Sequence, residues 1–309
     1  MACVEIKKPG WLTTIQDLGR WGLQRYGVSV SGPMDLLSHR LANLLAGNAV
    51  DAATLEVTLG GLELVFDGDA WFAATGADLS LTLNGEPVEM NRALHARPGD
   101  GLRFGLRRRG ARSYLAVAGG FVVPMVLGSR STHVLSGLGG LKGRPLRAGD
   151  RLDIGQQDAP VDRKPRAAPF AVPEGGTRLR VMPGPHQDRF EALTVERLPT
   201  SRYVLSDRSN RVGYRLEGES MPWAAGTTEL ISTATVPGGV QVPASGQPIL
   251  LMADCAPTGG YPMIAVVISA DVPLAGQLAP GDWLEFVRCT REEAVAALQE
   301  RERSLEPAC

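Results

Sequence analysis

Glycine and proline interrupt this chain too often for it to form long helices. Of its 309 residues, 37 are glycine and 22 are proline, against averages of about 7% and 5%. Both residues mark turns, and the runs they leave between them are short. Leu62 to Phe66, Leu79 to Leu83 and Glu86 to Met90 have alternating or apolar β character. So do Ser113 to Ala118, Arg151 to Ile154, Arg178 to Met182, Tyr203 to Ser206, Ile249 to Met252, Met263 to Ser269 and Trp283 to Val287. Asn84-Gly85 lies between two of these runs and suits a type I′ turn, so a hairpin is expected there. The reading is a mainly β protein with a few short helices.

Two helices are expected. The first has Pro33 at its first helical position, Asp35 in its first turn and Gly47 past its end, with Met34, Leu37, Leu41, Leu44 and Leu45 on one face. The second runs from about Thr290 to Arg303, where Thr290 and Glu293 form a capping box and Ala294, Val295 and Leu298 a short apolar stripe. A small device occurs three times. Pro98-Gly99-Asp100, Ala148-Gly149-Asp150 and Pro280-Gly281-Asp282 each precede x-Leu and an amphipathic strand. This reads as turn chemistry, with Asp bonding nearby backbone.

The length suits two lobes. The expected linker is Gln156 to Gly176, which holds four prolines and a Gly175-Gly176 pair. The expected lobes are residues 1–170 and 171–309. Lys and Arg total 32 against 33 Asp and Glu, so there is no basic footprint and nucleic acid is not expected as a partner. The longest apolar stretch, Leu115 to Gly128, is broken by Gly119, Gly120 and Pro124, so no membrane span is expected. The N-terminus shows no signal peptide, and four scattered cysteines make neither a disulfide framework nor a zinc site. Both point to the cytoplasm.

Common catalytic signatures are missing. Gly137-Leu-Gly139-Gly140-Leu-Lys142-Gly143 fits neither a Walker A loop nor G-x-G-x-x-G, and there is no G-x-S-x-G elbow. His39, His95, His133 and His186 are far apart and read as structural. Cys255 reads as a small buried residue rather than a nucleophile, because no base is visible beside it. Four polar clusters remain. They are Thr14 to Arg20, with Gln16 and Asp17; Gly128 to Thr132 with the following glycines, Lys142 and Arg144; Ser206 to Arg211; and Val236 to Pro243 together with Asp254 and Thr258 to Pro262. Backbone N–H groups beside cationic side chains suit a carboxylate or phosphate. Each cluster is equally compatible with a tight loop or a solvated charge pair.

Long stretches of the chain resemble a known family. Thr13 to Asn48 (TTIQDLGRWGLQRYGVSVSGPMDLLSHRLANLLAGN) is similar to its opening signature. Tyr114 to Thr132, Gly238 to Asp271 and Gln277 to Phe286 continue the likeness in order, over about residues 4–288. The family is the biotin-dependent carboxyltransferase-like family, also called allophanate hydrolase subunit 2. It includes the C-type subunit of bacterial 5-oxoprolinase and the first half of the carboxyltransferase domain of urea carboxylase.

The resemblance implies cyclophilin-like β-barrel architecture, with carboxyltransferase-like subdomain A in the first lobe and subdomain B in the second. It implies a cyclophilin-like companion, equivalent to the B-type subunit of 5-oxoprolinase, and a further partner equivalent to its A-type subunit. The implied activity is that of one subunit of an ATP-dependent amidohydrolase, inactive alone, which with its companion activates 5-oxoproline for hydrolysis to glutamate. ATP and Mg²⁺ are the implied cofactors. Two alternatives come with the family. One is a carboxyltransferase component moving CO₂ from carboxybiotin to urea or a related amide, with biotin as cofactor. The other is a non-enzymatic regulator that binds a kinase-inhibitor-like companion. Under the leading reading the catalytic candidates are Asp254 and Tyr261. Arg130, Ser131, Lys142, Arg144, Gln241, Thr258, Gly259 and Gly260 are the expected substrate or phosphate contacts, and no metal ligands are assigned. The sequence departs from the family pattern at Ala256-Pro257-Thr258, where Gln-Thr-Thr is common, and at Met263, where a basic residue often follows GGYP.

Overall fold

A computed structural model of the protein describes residues 2–156, 171–228 and 230–306. Most of the expected linker, residues 157–170, lies outside them. Two compact units divide the chain. One comprises Met1–Arg20, Ser31–Val172 and Glu302–Cys309; the other comprises Trp21–Val30 and Pro173–Arg301. Among the described residues there are four α-helices: α1 (Leu36–Leu45), α2 (Ala192–Arg197), α3 (Val272–Gly276) and α4 (Arg291–Ser304).

The first unit holds two sheets. The six-stranded sheet runs in the order Arg151–Asp153, Cys3–Pro9, Leu62–Phe66, Gly101–Phe104, Leu81–Leu83, Glu86–Pro87. The five-stranded sheet runs Leu12–Gln16, Thr54–Thr58, Arg109–Val117, Ala70–Asp78, Ala93–Ala96. Period-2 alternation explains the core. Val4, Ile6, Leu64 and Phe66 from one sheet form a single cluster with Leu55, Val57, Phe72, Leu115 and Val117 from the other. The opposite face of the five-stranded sheet is also buried. Ala73, Tyr114 and Ala116 meet Leu41, Ala42 and Leu45 of α1, so the strand Arg109–Val117 is buried on both faces along nearly its whole length. The small alanines let the helix approach the sheet closely.

The second unit contains a closed seven-stranded barrel in the order Gly176–Pro183, Met263–Val267, Gly239–Gln241, Ile249–Leu251, Gly213–Glu217, Arg202–Leu205, Trp283–Arg288. Closure comes from a parallel pairing of the first and last strands, with Gly176 opposite Trp283 and Val181 opposite Arg288. Leu179, Val181, Leu205, Leu216, Leu284 and Phe286 are buried. On the outer face Glu285 sits opposite both Arg178 and Arg202 and pairs with each, at 3.0 and 2.7 Å. The expectation of a mainly β barrel protein with few helices is met.

Most expected elements form, some with shifted ends. The hairpin turns at Asn84 and Gly85, both with positive φ, but its second strand stops at Pro87 rather than Met90. The α4 capping box is present: Thr290 N–H donates to Glu293 Oε2 at 2.8 Å, and Glu293 N–H donates to Thr290 Oγ1 at 3.2 Å. Helix α1 starts later than expected. Asp35 is not in its first turn but is its N-cap, with Oδ1 accepting from Ser38 N–H at 2.9 Å. A carboxylate cap of this kind contributes about 1 kcal/mol and outcompetes a start at Pro33.

The thrice-repeated device has the same construction each time. Asp100, Asp150 and Asp282 N–H groups donate to the carbonyls of Arg97, Arg147 and Ala279. Their carboxylates accept the N–H groups of those same residues, at 2.7, 2.7 and 2.9 Å. The intervening Gly99, Gly149 and Gly281 have φ of 91°, 85° and 88°, which a type II turn requires. Each turn also clips a distant strand. Gly99 N–H reaches Phe66 O, Gly149 N–H reaches Ile6 O, and Gly281 N–H reaches Leu205 O.

Candidate functional site

The expected site residues fall into two polar centres, one in each unit. In the first unit, Asp17 follows the strand Leu12–Gln16 and is buried. Its Oδ1 accepts from Ser129 Oγ, Ser131 Oγ and Gly19 N–H at 2.5, 2.7 and 2.9 Å. Its Oδ2 accepts from Arg130 N–H at 2.5 Å. Burial pushes the Asp17 carboxyl up, but these hydrogen bonds outweigh it and hold the group below the usual carboxylate range. The loop 129–131 is therefore wrapped around one carboxylate. Buried Arg20 fixes the same loop, donating from Nη2 to Ser131 O at 2.5 Å.

The glycine cluster packs against this loop. A Cβ on Gly139 would lie 2.0 Å from Ser131 O, and one on Gly140 would lie 2.0 Å from Thr132 Oγ1. Their residue type is set by close approach of two chain segments. The N–H groups of Gly140 and Gly143 donate to Arg130 O and Gly139 O, both at 2.8 Å, inside the protein. Arg144 forms a bidentate pair with Asp150, both contacts at 2.8 Å. The half-buried Arg130 guanidinium and the exposed Lys142 differ: no described group pairs with either side chain.

In the second unit, Asp254 is paired with Arg211 at 2.9 and 3.0 Å, and both side chains are buried. This fork geometry is rigid, and it holds the catalytic candidate Asp254 in an ion pair. Gln241 Nε2 donates to Tyr261 O at 3.3 Å, and a Cβ on Gly259 would lie 2.7 Å from Gln241 Nε2. Thr258 and Gly259 pair with Ala234 and Thr233 in a two-stranded ribbon, and Gly260 O accepts from Leu230 N–H. Gln241, Thr258, Gly259, Gly260 and Tyr261 thus form one contiguous patch, with the Tyr261 ring partly exposed. Cys255 is buried, and burial pushes its thiol up to about 11, which suits the inert reading. Met263 is buried on a barrel strand with its sulfur against Gly239. At this position a basic side chain would lie in the core.

Some buried polar residues of the first unit were not anticipated. Glu56 Oε2 accepts from Tyr114 OH and Met34 N–H at 2.7 and 2.8 Å, and Asp35 N–H donates to Tyr114 Oη at 2.7 Å. Burial drives the Tyr114 hydroxyl well above its ordinary range. Strand alternation places Glu56 opposite Leu55 and Val57, which by itself suggests solvent. The face it occupies is instead covered by the segment leading into α1. Arg20, Asp17 and Arg211 stand inside polar clusters visible in the sequence, but only their partners show what they do. Among the described residues, no group of three His, Cys, Asp or Glu side chains converges to hold a metal ion. Among the described residues, no helix is long and apolar enough to cross a membrane.

A sandwich of two sheets with a separate barrel, each carrying one anchored polar centre, defines a protein class that comparison identifies. The family described as carboxyltransferase domain, subdomain A and B, matches residues 26–288, and the chain belongs to that family. It is 42% identical over 305 residues to the C-type subunit of 5-oxoprolinase from Escherichia coli, covering 98% of this chain and 96% of that one. It is 38% identical to the protein of the same name from Haemophilus influenzae, covering 94% and 92%. The solved urea carboxylase of Kluyveromyces lactis is 32% identical, with a TM-score of 0.91 over 98% of this chain and 29% of that one.

Proposed function

We propose that this chain is one component of an ATP-dependent 5-oxoprolinase which, with a companion subunit, activates 5-oxoproline for hydrolysis to glutamate. The observation that carries the reading is the 42% identity with the C-type 5-oxoprolinase subunit at nearly complete coverage of both chains. The urea amidolyases match at 34% and 33%, and this chain spans only 18% and 17% of their length.

A lactam carbonyl is a poor electrophile. In the proposed reaction its oxygen attacks the γ-phosphorus of ATP, forming an O–P bond as the bond to ADP breaks. Water attack at C5 then expels the ring nitrogen, which takes up a proton. A second water releases phosphate, leaving glutamate. The activation step places negative charge on phosphate oxygens, so it needs fixed donors and cations around them. This chain offers the Arg130 guanidinium on a loop locked to Asp17, with Lys142 on the neighbouring glycine segment. The other unit, taken by itself, carries the patch of Gln241, Thr258, Gly259, Gly260 and Tyr261, whose amide and hydroxyl groups suit a phosphate or a small polar substrate. Arg144 and Asp254, each held in an ion pair, act as positioning residues. Mg²⁺ accompanies ATP in most phosphoryl transfers; among the described residues no three His, Cys, Asp or Glu side chains converge to hold it.

The test is ATP hydrolysis by the chain assembled with its B-type and A-type partners, with and without 5-oxoproline. Stimulation with stoichiometric glutamate is expected. No stimulation from a stably assembled complex overturns the reading. The fold likeness to urea carboxylase then makes carboxyl transfer from carboxybiotin to urea the next reaction to assay.

A further inference from the structure

A cavity far in sequence from the loop 129–131 lies within the first unit. Its volume is about 500 Å³, within the usual range for small-molecule sites. Every lining residue belongs to that unit. One wall is apolar: Leu41 and Leu81 are buried, and Val88 and Met90 are half-buried against the core. Val172 and Leu305 also line it.

The other wall carries Arg108 and Arg109. They belong to a run of three arginines at the start of the strand Arg109–Val117. The pairing of this strand with Ala70–Asp78 shifts register between Arg109 and Ser113, and a bulge of this kind re-aims side chains and is common beside binding sites. Arg107 is engaged, with Nε donating to Gly110 O at 2.7 Å. No described group pairs with the guanidinium of Arg108 or Arg109. Asp78 is the one acidic residue among the described lining residues, and its Oδ1 accepts from Ser80 N–H at 3.0 Å. Two adjacent like charges facing one apolar wall of this cavity repel one another, and an anion between them removes that repulsion while gaining charge-assisted hydrogen bonds.

We propose that this cavity binds a small amphipathic anion, its acidic headgroup held by Arg108 and Arg109 and its short apolar body lying against Leu41, Leu81, Val88 and Met90. The site is separate from the residues assigned above to 5-oxoproline activation, and it stands whether or not that reading holds.

Calorimetric titration of the full chain with octanoate, octyl phosphate, octanol and inorganic phosphate tests it. Saturable binding of octanoate, octyl phosphate or both is expected, and the tighter of the two identifies the headgroup. Octanol and inorganic phosphate are each expected to bind at least tenfold more weakly, since each lacks one half of the match. The double variant Arg108→Gln/Arg109→Gln is expected to lose at least tenfold in affinity with an unchanged thermal midpoint, because both side chains are exposed. Met90→Glu, which puts a like charge on the apolar wall, is expected to weaken binding as well. Absence of saturable binding by either anion, equal binding of octanol, equal binding of inorganic phosphate, or unchanged affinity in the arginine variant overturns the proposal.

Discussion

Asp17 in the sheet unit and Asp254 in the barrel unit are both buried carboxylates, and they are stabilised in different ways. Asp17 takes four hydrogen bonds from hydroxyl and backbone N–H groups of Gly19 and the loop 129–131. Asp254 faces the guanidinium of Arg211 in a two-point pair. The first arrangement turns a carboxylate into a template that shapes a loop. The second fixes two chain segments, since Asp254 N–H also donates to Arg211 O at 2.9 Å. The difference predicts opposite sensitivities. A cage of neutral donors loses stability in steps as donors are removed, whereas a buried ion pair fails when either charge is left alone.

The largest effect is therefore expected at Arg211. Arg211→Met strands the Asp254 charge and is expected to cost about 3–5 kcal/mol, read from urea unfolding midpoints. The double variant Arg211→Met/Asp254→Leu is expected to recover part of that loss, because no charge is left buried. A double variant less stable than the single would show that the pair itself is strongly net stabilising, and the contrast with Asp17 would shrink. Asp17→Asn is expected to cost about 2 kcal/mol, because the new amide group faces donors it cannot accept from. Ser131→Ala removes one donor of four and is expected to cost about 1 kcal/mol.

Acid separates the first unit's buried groups by pH window. His39 is fully buried; its Nδ1 lies 2.9 Å from Thr54 Oγ1 and its Nε2 lies 3.1 Å from Val50 O. A carbonyl only accepts, so Nε2 carries a proton. Burial pushes its pKa down to about 4, below the ordinary value of about 6.5. The unfolded chain therefore takes up a proton first as pH falls. The stabilisation from neutral His39 is complete above about pH 6.5 and declines by up to roughly 1.4 kcal/mol per unit as pH falls from there, ending near pH 4. The Asp17 carboxyl is held low, so its contribution is complete above about pH 4 and is lost only as pH falls through its lower folded value. Across pH 4–7, the unfolding free energy of wild type should fall relative to that of His39→Gln as pH drops below about 6.5. Asp17→Asn should differ from wild type by a constant amount there.

Local chemistry was legible in the sequence and long-range chemistry was not. The Asn84-Gly85 turn, the Thr290–Glu293 box and the Gly-Asp turns each depend on residues within four positions of one another, so residue type alone specifies them. Their longer reach is another matter. That Gly149 clips Ile6 and Gly281 clips Leu205 depends on strands more than 70 residues away. Barrel closure between Gly176–Pro183 and Trp283–Arg288 is non-local in the same way. At the candidate site, four polar runs in the sequence contained the parts of both polar centres, but they did not show which cation was engaged. Arg144 and Arg130 look alike in the sequence. One is neutralised by the Asp150 of a Gly-Asp turn; the other has no described side-chain partner.

That distinction yields the smallest expected stability effect and the sharpest functional one. The Asp17 cage uses only the backbone N–H of Arg130, so Arg130→Ala should leave the cage intact and change unfolding free energy by no more than about 0.5 kcal/mol. If the guanidinium meets phosphate oxygens as proposed, the same variant should lower the 5-oxoproline-stimulated ATP hydrolysis of the assembled complex by about tenfold to a hundredfold, in line with the loss of one charge-assisted contact. Arg130→Lys should recover part of that loss, since it keeps the charge without the fork. Wild-type activity in Arg130→Ala would remove Arg130 from the phosphate site and leave the loop 129–131 as a purely structural wrap around Asp17. A large stability loss instead would show that the side chain contributes to the cage, and the comparison with the Arg211 pair would have to be redrawn.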